Sequence, residues 1–146
     1  MHEDLALEEL LTLKGGLLRE LLPPHLDPLR PFKVENFGPL RKYTLGEAWP
    51  GTWVMLHHLL GTESGPPHCH PVAFQSTILL GSYLERVYHP TEEGCHVQDI
   101  LRSEGSAHHI AAECIHKLIA LPDEHCWTLV FAGPVVREWR HHPELV

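Results

Sequence analysis

In "GPPHCHPVAFQSTILLG", Gly65 to Gly81, two histidines stand one residue apart ahead of a proline and a mostly apolar run. On an extended strand, residues i and i+2 face the same way, so His68 and His70 can present both imidazoles to one point while Cys69 faces away. That arrangement is suited to a metal ion. Pro71 cannot donate to a strand ladder, so the pleat is expected to reset there and turn Gln75 toward the pair. A third ligand must come from elsewhere in the chain. His116 in "ECIHKLIAL" is the best candidate, because it too opens an apolar, strand-like run after a turn. Position has to decide among the 14 histidines of this chain, most of which have no such spacing. His57, on the run before the pair, is a candidate acid or base, since an ordinary imidazole titrates near pH 6.5. His57 and His58 are adjacent and so point to opposite faces, which allows only one of them into a shared cavity.

These side chains need a scaffold. From Glu3 to Leu22 leucines recur at three- and four-residue steps, the pattern of a helix burying one face, with Gly15-Gly16 expected to break or kink it. The proline-rich stretch Pro23 to Pro31 marks a boundary. Beyond it, short apolar and β-branched runs such as "STILL", "YLERVY" and "CWTLVFA" alternate with glycine and proline turns, which predicts an all-β architecture, a jelly roll or barrel. The organisation expected is a helical arm over 1–22, a linker over 23–31 and a β domain over 32–146.

Composition narrows the partners. Nineteen acidic residues against eleven basic ones give a formal charge of -8, which argues against a nucleic-acid partner. No apolar run reaches the roughly 18 residues of a membrane span, and the acidic start "MHEDLALEELL" is unlike a signal peptide. A cytoplasmic location without membrane association is expected, with the four cysteines as free thiols.

At these residues the sequence resembles the cupins. Their first motif, G-x(5)-H-x-H-x(3,4)-E-x(6)-G, is followed with small shifts by Gly61, His68, His70, Gln75 and Gly81. The second, G-x(5)-P-x-G-x(2)-H-x(3)-N, keeps its spacing at Gly105, Ala111, Glu113, His116 and Ala120, with only the glycine and histidine retained. From Thr52 to Trp139 the chain also resembles small bacterial and phage-type cupins, through "HCHPVAFQSTILLGSYLE" and "CWTLVFAGPVVREW". The resemblance implies a cupin jelly-roll β-barrel holding one divalent metal through His68, His70 and His116.

Gln75 stands where cupins usually carry a glutamate ligand. The three-histidine set is similar to that of the thiol dioxygenases, which implies iron(II) and a small thiol or carboxylate substrate met by dioxygen. Zinc, nickel, manganese or copper are the other ions such a set accommodates. The alternatives are a non-redox lyase, isomerase or hydrolase, and a non-catalytic binding module. Arg41 and Arg86 are candidate carboxylate binders, and Tyr83 (or Tyr43) a candidate hydrogen-bond donor in the site. Trp127, Phe131 and Trp139 read as core, and the terminal "RHH" as a solvated tail. The leucine face of the arm must be covered, either by its own barrel or by a second subunit, and a homodimer is expected.

Overall fold

A computed structural model describes residues 4–62 and 65–145. Helix α1 runs Leu5–Leu21 and is followed by strands β1 (Lys33–Phe37), β2 (Leu40–Trp49), β3 (Thr52–Leu59), β4 (His68–Cys69) and β5 (Phe74–Gly81). Then come β6 (Tyr83–Thr91), β7 (Gly94–Arg102), β8 (Ala107–Ile110), β9 (Ile115–Ala120), β10 (Cys126–Ala132) and β11 (Arg140–His141). They form two antiparallel sheets, ordered β1-β2-β3-β10-β5-β8 and β11-β4-β9-β6-β7. This is the two-sheet jelly roll that the strand pattern predicts.

Alternation assigns the faces of the larger sheet. Tyr43, Leu45, Val54, Leu56, Leu79, Trp127 and Leu129 point outward and form one buried cluster with Leu7, Leu10, Leu18 and Leu22 of the arm. The arm therefore covers its own barrel. Its start is fixed by Asp4, whose side chain accepts a hydrogen bond from the Leu7 amide as an N-cap and also binds Tyr43 and Arg41. The helix runs uninterrupted through Gly15 and Gly16, contrary to the expected kink. Packing of its leucine face outweighs a helix penalty of about 1 kcal/mol per glycine. Leu26 of the proline-rich stretch joins the same cluster. Met1 to Glu3 of the predicted arm lie outside the described residues. No described helix is long and apolar enough to cross a membrane, and all four cysteines are free thiols.

Gly81 closes the strand that follows the histidine pair. Its φ is +79°, and a Cβ there would lie 2.4 Å from the His125 carbonyl oxygen. Backbone, not a movable side chain, blocks the space. Gly81→Ala is expected to cost at least about 1–3 kcal/mol, read as a lower urea midpoint. An unchanged midpoint would show that the turn relaxes freely.

Candidate metal centre

The smaller sheet and the mouth of the barrel bring three histidines together. His68 on β4 stands opposite His116 on β9, and Val87 of β6 flanks His116 on the other side. His70 follows β4 directly, its amide held by the Ala112 carbonyl. The ring nitrogens that His68, His70 and His116 can offer all lie within 4.8 Å of one another. The Nε2 atoms of His70 and His116 are 2.7 Å apart.

A carboxylate behind the cluster sets its chemistry. Glu85, 1% exposed, accepts a hydrogen bond from His116 Nδ1 at 2.6 Å and two from Arg102, at 3.0 and 2.8 Å. Burial alone would raise the Glu85 pKa, but the bonds from His116 and Arg102 overcome it and hold the carboxyl down at about 2. An ionised carboxylate only accepts, so His116 donates from Nδ1, and in its neutral form it turns an Nε2 lone pair toward His68 and His70. Burial, reinforced by the neighbouring imidazoles, lowers His68 to about 4 and His70 to about 3. His68 and His70 are therefore held in the neutral form that metal ligation requires.

The cluster opens into a cavity of ≈ 740 Å³ between the sheets. His57 and Tyr83 line it, and the Tyr83 hydroxyl is 3.0 Å from His108 Nε2. His58 points the other way, stacked on Trp127 with ring centroids 3.9 Å apart.

Four candidate residues, Gln75, Arg41, Tyr43 and Arg86, fall outside the cavity. Gln75 is exposed, because β5 keeps its alternation and turns Phe74 and Ser76 inward instead. Pro71 precedes the strand and does not reset it in the expected sense. Arg41 shares the outer face with Tyr43, bonded to Asp4 and Asn36, and so anchors the arm. Arg86 projects outward beside inward-facing Glu85 and forms a two-bond ion pair with Asp99.

The terminal segment is also unlike its expectation. β11 pairs with β4, placing His141 opposite His68. Trp139, half-exposed and not a core residue, lines the cavity and lies 5.8 Å from the His68 ring. Backbone partners left free on β4 capture the tail, and His142 buries its Nε2 3.3 Å from Cys69 Sγ.

Sequence reasoning also passed over Glu85 and Arg102. The available signal was alternation: Tyr83, Glu85 and Val87 share the buried face of β6, and a charge in that pattern calls for partners.

No protein-family profile and no curated protein matches the chain. Solved structures do. Recombinant oxalate oxidase in complex with glycolate superposes with a TM-score of 0.56 at 16% identity, over 75% of this chain and 59% of that one. The fold is that of the cupins. The polyketide cyclase RemF from Streptomyces resistomycificus matches with a TM-score of 0.55 at 20% identity, over 75% of this chain and 78% of its own. A structure from a study of the DMSP lyases RdDddP and RnDddQII matches with a TM-score of 0.53 at 14% identity, over 70% of this chain. The chain spans only 52% of that protein's length, so the likeness is one of fold.

Three histidines outside the metal cluster, His58 buried and His57 and His108 half-buried, are expected to make the fold acid-sensitive. Burial, helped by the nearby charges of Lys42, His125 and Arg102 respectively, lowers His57, His58 and His108 to about 4. Their folded pKa lies below the unfolded value of about 6.5. The unfolded chain therefore takes up protons first, and the stability these groups contribute is complete above pH 6.5 and lost as pH falls toward 4. Metal-free protein is expected to lose at least about 1 kcal/mol between pH 7 and 5, or roughly 2–4 °C of Tm. A flat Tm over that interval would contradict the assignment.

Proposed function

We propose that this cupin is a mononuclear metalloenzyme with iron(II) held by His68, His70 and His116, oxidising a small thiol or carboxylate substrate with dioxygen. The observation that carries the reading is the Glu85–His116 bond, which fixes the His116 ring with Nε2 directed toward the imidazoles of His68 and His70. Evolutionary drift toward a bare scaffold would have no use for a buried, Arg102-clamped carboxylate in that place. When bound, a redox-active ion supplies a meeting point for substrate and dioxygen without an organic cofactor. The chain's own part is to orient His116 through Glu85, to exclude water with the apolar cavity wall, and to present the Tyr83 hydroxyl, fixed beside His108. The structures of oxalate oxidase and of FeII HppE among the neighbours support the redox reading.

A non-redox reading with zinc or nickel draws support from the polyketide cyclase and DMSP lyase neighbours. There the ion would lower the pKa of a bound water or polarise a substrate oxygen.

Elemental analysis of tag-free protein beside His116→Ala, followed by oxygen-uptake assays with small thiols and carboxylates, tests both. Near-stoichiometric iron, lost in the variant, with uptake on substrate addition is the expected result. Stoichiometric zinc or nickel without uptake moves the assignment to the non-redox reading. Protein that stays metal-free after reconstitution with iron(II), zinc and nickel refutes both.

A further inference from the structure

The cavity carries two groups that the three-histidine cluster does not use. Its wall is largely aliphatic and aromatic, with Leu40, Met55, Leu59, Phe74, Leu118 and Val130 among the lining. Lys42 is the one lysine or arginine among the described lining residues, in a chain whose net charge is -8. It is half-buried, and its ammonium lies 5.8 Å from the centroid of the Phe37 ring. No described carboxylate forms an ion pair with it.

His57 is its direct partner across the β2–β3 ladder. Residues opposite each other in an antiparallel pair share a face, with Cβ atoms about 4.5–5.5 Å apart. His57 Nε2 is buried and has no hydrogen-bond partner. Leaving such an atom unpaired is unfavourable, and an unpaired buried group in a cavity wall calls for an explanation. The nearby Lys42 charge adds to burial in keeping His57 neutral, so the ring retains one N–H to give.

We propose that Lys42 and His57 together receive the carboxylate of an otherwise apolar substrate, the ammonium as counter-charge and the imidazole N–H as hydrogen-bond donor. The aliphatic wall takes the hydrocarbon body, in the same cavity as His68, His70 and His116. A single fixed cation matches a monoanion better than a phosphate dianion. A thiol lacking a carboxylate would leave both groups unpaired. The inference deepens the proposed function, resting on the cavity being a substrate chamber, and it gives Lys42 the role for which the sequence offers Arg41 and Arg86.

The test is calorimetric binding of phenylacetate and of its neutral isostere phenylacetamide, at pH 7.5, to metal-replete and chelator-treated protein. Wild type is expected to prefer the acid by roughly tenfold or more in both forms. Lys42→Met should remove the preference by weakening the acid alone, with metal content unchanged, and Lys42→Arg should retain it. His57→Phe should weaken the acid by roughly threefold or more and the amide, whose carbonyl oxygen can accept the same bond, by less. Equal affinity for the two probes in wild type, binding of neither, or a preference that survives Lys42→Met would overturn the proposal. If the acid preference holds but the protein never takes up metal, the metalloenzyme reading fails and the carboxylate site stands. If metal loads fully and no preference exists, the carboxylate site alone is wrong.

Discussion

Glu85→Gln is expected to weaken metal binding by about 10–100-fold while leaving the three histidines in place. The amide keeps the shape of the carboxylate but not its charge. It no longer obliges His116 to carry its proton on Nδ1, so part of the population presents an Nε2–H, which cannot ligate. Arg102, whose side chain is 22% exposed, loses its buried counter-ion at the same time. The expected cost in stability is about 1–3 kcal/mol for Glu85→Gln and about 3–5 kcal/mol for Glu85→Ala, which leaves the cation unpaired. Competition with a chelator measures the first effect and urea denaturation the second.

Arg86→Gln is the internal control, one residue along the strand. Its ion pair with Asp99 is solvent-exposed, so the change should leave the urea midpoint and the metal affinity close to wild type. If Glu85→Gln binds metal within twofold of wild type, the carboxylate does not set the His116 tautomer. The Glu85 pairing has a pH signature too. With its folded pKa depressed to about 2, its contribution is present above the ordinary carboxylate range and is lost as pH falls toward 2, below the window in which His57, His58 and His108 act.

Leu10→Ala should be the most destabilising single truncation in the arm, by about 2–5 kcal/mol. Leu10 is 0% exposed, seated in the cluster with Tyr43, Leu56 and Trp127, whereas Leu13 on the far side of the helix is 56% exposed. Leu13→Ala should therefore be nearly silent. The arm lies on the outer face of the larger sheet and the histidines face the cavity, so at permissive temperature Leu10→Ala should bind metal as wild type does. Equal denaturation midpoints for the two variants would mean that the arm does not dock as described. A parallel loss of metal affinity would mean that docking and site are coupled through the sheet.

The sequence by itself determined much of this protein. Spacing put His68 and His70 on one side of a strand, because the pleat has a period of two. The leucine periodicity of the arm and the run of short strands followed from the same kind of local rule, and so did the opposite facing of His57 and His58. Alternation says which residues share a face but not which face is the inside.

That choice belongs to the neighbours. Helix α1 covers the face bearing Arg41 and Tyr43, which leaves Lys42 and His57 to the cavity, and β5 turns Gln75 out and Ser76 in. The register between β4, β9 and β6 likewise brings His116 beside His68 and reaches Glu85, a contact between residues 31 positions apart. Nothing local encodes it, since the pairing follows from which strand edges find backbone partners. The terminal strand makes the same point: its histidines resemble a solvated tail until the free edge of β4 supplies the hydrogen bonds that hold it beside the site.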